Sequence, residues 1–464
     1  MNDPSPIARS LELYERAKQL VPGGTQLLSR RPLIFAPGVA PIFAERGKGS
    51  HIWDVDGSDY LDYGMSVSAC ILGYADDVVN DAVRAQIDRG VMYSLNHPAE
   101  LELAELLCQT VPCAEMVRFA KGGGEACAIA VRIARGATGR DKVLFCGYHG
   151  WHDWYLAANL DAASLDSHLF PGIEPIGVPR GLAGTAIPFP HGDLAALEQA
   201  LDRHAPDLAC VIMEPMRSTE SPPGYLRGVR ELTERRGIIL VFDEVTTGFR
   251  HAPGGVEEFL GVVPDMATFA KSLSNGYAMG AVVGRRAVME PASRMFISST
   301  NWSDLVGIVA AIATLKEIRR RNIPAMLREY GEQLMAGWNG IAEEIGIAAR
   351  MYGTPQWPLI EFSPPGDGMM PETTGGARSD SIVGSGPSLA RKLAALYAQE
   401  MAHRRILFNT HPVHSAAHND RDLDQTLTAT REALIAVRDA LHTGRIDESL
   451  KAPLDPPVFR RLVQ

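Results

Sequence analysis

Short apolar runs that alternate with helix-like segments are the feature that most constrains the fold of this chain. The runs are apolar throughout, and they cover residues 117–120, 143–146, 209–213, 238–242, 266–270 and 281–283. Uninterrupted apolar runs of this length are typical of strands buried on both faces of a largely parallel sheet. Because amphipathic helical patterns separate them, the sequence predicts an α/β fold.

The regions on either side of these runs differ in character. Residues 11–20 have the pattern of a short amphipathic helix, and DVDG at 54–57 is typical of a hairpin turn. Beyond residue 305, long helical patterns cover 305–346, 387–405 and 420–442. This change predicts a separate C-terminal domain.

Charge and composition exclude several classes of protein. The 464 residues include 45 Lys and Arg against 55 Asp and Glu, and no basic stripe that would favour a nucleic-acid binder. The longest uncharged apolar run, 305–315, is much shorter than the roughly 18 residues of a membrane-spanning helix. The six cysteines are scattered without a CxxC pair. We therefore expect a cytoplasmic protein that binds neither nucleic acid nor membrane.

The polar residues that follow the apolar runs define a candidate site. Open α/β sheets place their chemistry just beyond the carboxyl ends of the strands. At these positions the chain has KGGGE at 121–125, YHG at 148–150, Glu214, Asp243 and Lys271. A glycine-rich helix entry, an aromatic ring, carboxylates and a lysine together indicate an anionic, aromatic cofactor that bears a carbonyl group.

Each of these features also has a simpler interpretation. Gly122, Gly123 and Gly124 can direct backbone N–H groups at a phosphate, although such turns are common between strand and helix. Asp243 can be a structural ion pair or the acidic strand end of an ATPase, but the chain lacks the GxxxxGK(S/T) loop of that class. Lys271 can be a surface lysine, or a desolvated amine able to form a Schiff base.

Two histidine pairs raise the question of a metal site. His149 and His152 have HxxH spacing, and His411 and His414 repeat it. No third ligand with suitable spacing lies nearby in the sequence, so we predict no metal. Stacking on an aromatic cofactor is the better interpretation of the first pair.

The motifs together resemble a class III aminotransferase, a pyridoxal-phosphate enzyme of fold type I, and most of all the glutamate-1-semialdehyde aminomutase-like members. The resemblance covers most of the chain. The specific blocks are DEVTTGFR and AKSLSNG, which place Asp243 and Lys271 28 positions apart (271 minus 243). Further matches are VPGG at 21–24, DVDG at 54–57, YLDY at 60–63, MVRFAKGGGEA at 116–126, RIARGATGRDKV at 133–143, YHG at 148–150, MEP at 213–215, SSTNW at 298–302 and SAAHNDRDLDQTL at 415–427.

The resemblance implies a mostly parallel central sheet in a large cofactor-binding domain, residues 66–315. A smaller α/β domain would combine the N-terminal segment 1–65 with the C-terminal residues 316–464. The family's active site is shared between two subunits, which implies a homodimer at least.

The resemblance also implies roles for individual residues. Lys271 matches the lysine that forms the Schiff base with pyridoxal phosphate and then shuttles a proton. Asp243 matches the carboxylate that keeps the pyridine nitrogen protonated, which makes the ring an electron sink. Tyr148 and Val245 match the residues on the two ring faces, and Thr300 matches a threonine that reaches the phosphate of the neighbouring subunit.

Further cofactor residues follow from the same motifs. Gly122, Gly123 and Gly124 lie at the phosphate turn. His149 and Glu214 fall beside the ring-binding residues, with Glu214 behind the direct contacts.

The chain departs from the family at several positions. Family members usually have S-G-T or S-G-S where this chain has three glycines, so the hydroxyl donors to the phosphate are missing. The semialdehyde mutases carry a tryptophan where we align Val67 and a glutamate where we align Thr410. Arg30 does align with their substrate-binding arginine.

The resemblance therefore favours an aminotransferase that moves an amino group from an amino donor to a carbonyl acceptor by a ping-pong mechanism. An intramolecular aminomutase or racemase stays open, because it would use the same cofactor residues. A non-catalytic cofactor binder is disfavoured because both Lys271 and Asp243 are present. Arg30 is the candidate for a substrate carboxylate, and the weaker pocket candidates are Trp151, His152, Arg217 and His411.

Overall fold

The computed structural model describes residues 6–32, 36–160, 175–216, 218–363, 388–452 and 454. The chain divides into two compact units. The terminal unit combines Met1–Asp76 with Ala325–Pro456, and the central unit comprises Asp77–Pro324. The domain boundaries expected from the sequence, 65/66 and 315/316, stay predictions.

The strands and the longer helices are numbered here in chain order. The strands are β1 (Ala44–Lys48), β2 (His51–Asp54), β3 (Asp59–Asp62), β4 (Met116–Ala120), β5 (Lys142–Cys146), β6 (Ala186–Pro188), β7 (Leu208–Met213), β8 (Ile239–Asp243), β9 (Met266–Phe269), β10 (Gly280–Gly284), β11 (Ala349–Thr354), β12 (Trp357–Phe362) and β13 (Ile406–Leu407). The helices are α1 (Ala8–Leu20), α2 (Asp77–Ile87), α3 (Pro98–Thr110), α4 (Gly123–Thr138), α5 (Leu194–His204), α6 (Tyr225–Arg235), α7 (Leu305–Arg321), α8 (Ile323–Ile345), α9 (Leu389–His403) and α10 (Asp420–His442).

The central unit is built on a seven-stranded sheet in the order β4-β10-β9-β8-β7-β5-β6. All its strands are parallel except β10, which runs antiparallel to both β4 and β9. Every residue of β7 and β8 is buried, as the uninterrupted apolar runs predict. The prediction of a largely parallel α/β sheet is confirmed.

Helix α4 packs on this sheet through a single apolar stripe. Ala126, Ile129 and Ile133, which recur at helical spacing, are each at most 5% exposed. The helix begins directly after the Gly122 N-cap and ends at Gly139, whose φ of 69° lies in the left-handed region that favours glycine. The stripe fixes the rotation of the helix, and with it the direction in which the glycine turn points.

The terminal unit has its own four-stranded sheet, in the order β1-β2-β3-β13. Strands β2 and β3 form an antiparallel hairpin around residues 54–57, as predicted. A separate core surrounds Trp338, whose ring nitrogen donates to the Tyr397 hydroxyl at 2.9 Å. The hairpin of β11 and β12 was not expected from the sequence.

The long helical pattern over 305–346 is two helices rather than one. Helix α7 ends at the C-cap Asn322, which has a left-handed φ of 51°, and α8 begins at the next residue. Asparagine tolerates this conformation better than most side chains, which explains the break at this position. Within the described ranges, no helix has the length and apolar character to cross a membrane.

Candidate active site

The residues selected from the sequence in the central unit follow the carboxyl ends of parallel strands at one edge of its sheet. Strands β4, β5, β7, β8 and β9 all point the same way, so the segments that follow them meet at this edge. These segments carry the glycine turn, Tyr148, Glu214, Asp243 and Lys271. The topology therefore brings the predicted chemistry together.

Asp243 is the centre of a buried hydrogen-bond network. Its Oδ1 accepts from the Val245 N–H at 3.0 Å and from the Thr268 hydroxyl at 3.3 Å. Its Oδ2 lies 2.7 Å from His149 Nδ1 and accepts from the Cys127 thiol at 3.2 Å. Four donors surround a carboxylate that is only 3% exposed, which satisfies a buried charge.

These contacts keep Asp243 ionised. Burial raises the pKa of the carboxyl, whereas the hydrogen bond and charge of His149 lower it. The Val245 N–H and the Cys127 thiol act in the same direction, and the resulting pKa of Asp243 lies below its ordinary value. The carboxylate is therefore available to stabilise a positive charge beside it.

Lys271 lies at the end of the neighbouring strand. Strands β8 and β9 are parallel, and their register pairs Asp243 with Thr268, three positions before the lysine. Lys271 begins a short 3-10 turn, Lys271–Ser274, and its Nζ donates to the Thr246 hydroxyl at 2.8 Å. The amine is thus held at the same edge of the sheet as Asp243.

The glycine turn forms the start of helix α4. A Cβ atom added to Gly123 would lie 2.5 Å from Val245 Cγ1, so only glycine allows this close approach. The first N–H groups of a helix have no partner within the helix, and the helix dipole adds positive charge at this end. The turn therefore offers backbone donors to an anion beside Val245.

Tyr148, His149 and Glu214 have different surroundings. The Tyr148 side chain is 40% exposed, and its backbone N–H donates to Glu214 Oε2 at 3.0 Å, so the glutamate holds the turn that carries the aromatic ring. His149 is 1% exposed and lies behind Asp243, with Nε2 3.2 Å from the Cys146 carbonyl oxygen. His149 therefore contacts the carboxylate rather than offering a free ring face.

Two further sequence candidates of the central unit are exposed. Thr300 begins the 3-10 turn Thr300–Ser303, with its side chain at the surface of the chain. Trp151 is 71% exposed, and its ring stacks on His152 with 4.6 Å between centroids. Arg217 lies outside the described residues.

The substrate candidates Arg30 and His411 belong to the terminal unit. Arg30 Nη2 donates to the Ser66 hydroxyl at 3.3 Å, next to Val67. Residues 65–68 all have left-handed φ values, between 41° and 68°, which is rare for residues with a side chain. His411 Nδ1 lies 3.0 Å from the Thr410 hydroxyl. The two positions that differ from the mutases therefore lie beside the two substrate candidates.

Three residues that hydrogen-bond to Asp243 or Lys271 were not found from the sequence: Cys127, Thr246 and Thr268. Cys127 lies one turn into α4, on the buried face that the apolar stripe already predicts. Thr246 lies within the DEVTTGFR block, and Thr268 is paired with Asp243 by strand register. Their positions follow from the rotation of α4 and from the pairing of β8 with β9, and the sequence carried no signal specific to these three residues.

The cluster of Cys127, His149 and Asp243 has the donor atoms of a metal site, because their ligand atoms lie within 4.8 Å of one another. These same atoms are hydrogen-bonded to one another, with the carboxylate as acceptor. The arrangement is therefore complete as a hydrogen-bond network.

Comparison with known proteins identifies the family. Residues 34–352 match the family described as Aminotransferase class-III. The chain is 35% identical over 447 residues to 3-aminobutyryl-CoA aminotransferase of Cloacimonas acidaminovorans, covering 94% of this chain and 99% of that protein. It is 40% identical over 364 residues to glutamate-1-semialdehyde 2,1-aminomutase of Methanocaldococcus jannaschii, covering 76% of this chain and 83% of that protein. The chain belongs to the class III aminotransferase family.

The solved structures agree with this assignment. The FumI protein of Sphingopyxis sp. MTA144, in its PLP internal aldimine form, is similar with a TM-score of 0.80 and 25% identity, over 94% of this chain and 98% of that one. The fold is that of the fold type I pyridoxal-phosphate enzymes, as the sequence predicted. The relatives include both an aminotransferase and an aminomutase, so family membership leaves the particular reaction open.

Proposed function

We propose that this enzyme is a pyridoxal-phosphate-dependent aminotransferase that moves an amino group between an amino donor of amino-acid type and a carbonyl compound. The observation that carries the proposal is the placement of Lys271 and Asp243 after adjacent parallel strands, at the sheet edge where the glycine turn begins α4. A lysine amine, an ionised carboxylate and an anion-binding helix start are the three groups that this cofactor needs.

The residues fit pyridoxal 5'-phosphate. The start of α4 would supply backbone N–H donors for the phosphate, Asp243 would hold the ring nitrogen, and Val245 and Tyr148 are the candidates for the two ring faces. Lys271 supplies the amine for the aldehyde carbon. The close contact of Gly123 with Val245, in which a Cβ would lie 2.5 Å from Val245 Cγ1, supports a phosphate site next to Val245.

Asp243 and Lys271 have different roles in the proposed reaction. When bound, pyridoxal phosphate supplies the electron sink that stabilises negative charge on the substrate carbon. Asp243, kept ionised by His149 and Cys127, holds the proton on the ring nitrogen. Lys271 Nζ, positioned by the Thr246 hydroxyl, would remove the proton from the substrate carbon and deliver it to the former aldehyde carbon of the cofactor.

The kinetics are ping-pong, with the deaminated donor leaving before the acceptor enters. One observation favours an aminotransferase over an intramolecular aminomutase: Val67 and Thr410 replace the tryptophan and glutamate of the mutases. Overall similarity does not separate the two reactions, because the chain matches an aminotransferase over 94% and an aminomutase over 93% of its length. The second candidate, an aminomutase or racemase, is favoured by Arg30, which matches the mutases' substrate-binding arginine.

Transfer of a labelled amino group separates these candidates. We expect an amine labelled with ¹⁵N to pass its nitrogen to an unlabelled carbonyl acceptor, with one molecule of carbonyl product released per amino group moved. Isomerisation or racemisation of a single amine, with its nitrogen retained and no acceptor consumed, would contradict the aminotransferase proposal. Bound cofactor without a half-reaction with any amine would indicate a non-catalytic binder.

The enzyme acts as a cytoplasmic homodimer with a shared active site. The exposed Thr300 is the residue that would reach the phosphate of the neighbouring subunit. All six cysteines are unpaired in the structure, as is usual for proteins of a reducing compartment.

A further inference from the structure

The phosphate turn of this chain offers no side chain at all, because positions 122, 123 and 124 are all glycine. Backbone N–H groups at the start of α4 supply donors, but a phosphate dianion has more acceptor sites than these groups occupy. The question, which rests on the proposed function, is which side chain completes the site.

Lys121, the nearest cation in the sequence, is engaged elsewhere. Its Nζ donates to the Asp304 backbone oxygen at 2.9 Å and to the Asp304 carboxylate at 3.2 Å. Its backbone N–H donates to Glu125 Oε2 at 2.7 Å. The lysine therefore ties the start of α4 to Asp304 rather than to an anion.

His152 lies against the glycine turn. A Cβ atom added to Gly124 would lie 3.3 Å from His152 Nδ1 and 3.4 Å from its Cε1. The imidazole thus lies beside the space that a serine or threonine side chain at position 124 would need. In this chain the ring and a side chain at 124 compete for room.

A second glycine makes this approach possible. Gly150 has a φ of 100°, and a Cβ added to it would lie 2.6 Å from the Gly124 Cα atom. The two backbones are therefore in direct contact, which a side chain at position 150 would not allow. This contact brings His152, two residues later, to the first turn of the helix.

The His152 Nδ1 atom is shielded from solvent and has no hydrogen-bond partner among the described residues. The stacked Trp151 ring, 4.6 Å away and tilted by only 26°, holds the imidazole in place. A buried polar atom without a partner, positioned beside an anion-binding helix start, indicates that a ligand supplies the partner.

We propose that His152 Nδ1 donates a hydrogen bond to the cofactor phosphate and takes the place of the hydroxyl group that this turn lacks. The glycine at 124 and the histidine at 152 then act together. Because position 124 has no side chain, there is room for the His152 ring, which supplies the hydrogen bond that a hydroxyl at 124 would give. His152 is a binding residue of the phosphate and has no part in proton transfer at Lys271.

The test compares two variants whose new side chains have the same number of heavy atoms, His152→Leu and His152→Asn. Asparagine places an amide nitrogen at the same number of bonds from Cβ as Nδ1, whereas leucine has no donor. Dissociation constants of the full-length apoenzyme are measured by absorbance titration for pyridoxal phosphate and for pyridoxal, which lacks the phosphate. Circular dichroism of each apoenzyme checks that the variants fold.

We expect His152→Leu to weaken pyridoxal phosphate binding by about 10- to 100-fold, as for a lost hydrogen bond to a charged group. His152→Asn should stay within about threefold of wild type, because its donor is kept. Pyridoxal affinity should be unchanged in both variants. In the double variant Gly124→Ser with His152→Leu, the restored hydroxyl should recover part of the loss.

Two results would overturn this assignment. If His152→Leu weakens pyridoxal and pyridoxal phosphate equally, the histidine only shapes the site; if neither changes, it does not contact the phosphate. Either result leaves the proposed function intact, because wild type still binds the cofactor. A wild-type protein that binds neither compound overturns both proposals.

Discussion

At the residue scale, Asp243 is the buried charge at the centre of the candidate site. A carboxylate this deep in a sheet is stable only if its oxygens are paired, and four donors from four different segments provide the pairing. His149 has acceptors at both ring nitrogens, the Asp243 carboxylate and the Cys146 carbonyl. The ring is therefore held between the carboxylate and the carboxyl end of β5.

This network predicts the effect of Asp243→Asn. The variant keeps the shape of the side chain but removes the charge, so we expect the half-reaction with an amino donor to slow by about 10²- to 10³-fold at saturating cofactor. Cys127→Ser, which keeps a donor to Oδ2, is the control and should stay close to wild type. Stopped-flow absorbance measures both, and an Asp243→Asn rate equal to wild type would show that the charge is not used.

The sequence predicts the site residues that end strands but not those that support them. Asp243 and Lys271 are conspicuous because a charge follows an apolar run. Cys127, Thr246 and Thr268 are small residues with no pattern of their own. Their contacts depend on how α4 is rotated and how β8 is paired with β9, which only the folded chain determines.

A buried pair of acidic residues, Glu244 and Glu257, lies next to the same strand end. Glu244 accepts from the Val256 N–H at 2.7 Å, and Glu257 accepts from the Cys113 N–H at 2.9 Å. Burial raises the pKa of Glu244 to about 7 and that of Glu257 to about 8, with the charge of Glu244 adding to the shift of Glu257.

These raised pKa values predict that stability falls as the pH rises. The unfolded chain releases the Glu257 proton at a pKa near 4.5, whereas the folded chain keeps it up to a pKa of about 8. Between these pH values, each unit of pH increase therefore lowers the free energy of unfolding by about 1.4 kcal/mol. Glu257→Gln imitates the protonated carboxyl, and it should raise the apoenzyme's Tm at pH 8.5 but hardly at pH 5.5. The exposed neighbour Glu258→Gln is the control, and a Glu257→Gln effect independent of pH would contradict the shift.

At the element scale, the start of α4 is fixed by contacts that only glycine permits. Gly123 touches the side chain of Val245, whereas a Cβ on Gly122 would meet nothing within 4 Å. The apolar stripe of α4 could be read from the sequence, and it sets the helix on the sheet. The close contact between Gly123 and Val245 could not be predicted from the sequence.

The matched variants Gly123→Ala and Gly122→Ala test this contact. We expect Gly123→Ala to cost about 1–3 kcal/mol of folding stability by overpacking, and to weaken cofactor binding. Gly122→Ala should cost less, about 0.5–1 kcal/mol, because it loses only the N-cap preference for glycine over alanine. Urea denaturation of the two apoenzymes gives the comparison, and equal stability would mean that Val245 moves aside freely.

The predicted elements were correct where the residue pattern was uninterrupted. The apolar runs gave the central strands, but the β11–β12 hairpin was missed because Pro355 and Pro358 interrupt its pattern. The break between α7 and α8 was missed because the helical pattern continues across Asn322.

At the scale of the whole molecule, the proposed function predicts an assembly of two chains. Thr300 is exposed on the isolated chain, and its role exists only if a second subunit covers it. We expect light scattering after gel filtration to give at least twice the 50.3 kDa mass of one chain. A monomer that binds pyridoxal phosphate as tightly as the wild-type assembly would exclude the shared site.

The most direct test of the central claim is the visible absorption spectrum of the purified protein with pyridoxal phosphate, followed by borohydride reduction and peptide mapping. We expect a yellow band that borohydride bleaches, and a covalent label with the mass of the reduced cofactor on the peptide that contains Lys271. The Lys271→Ala variant should show no such label. The absence of a band after cofactor is added, or a label fixed on another lysine such as Lys121, would contradict the assignment of Lys271 and the function proposed from it.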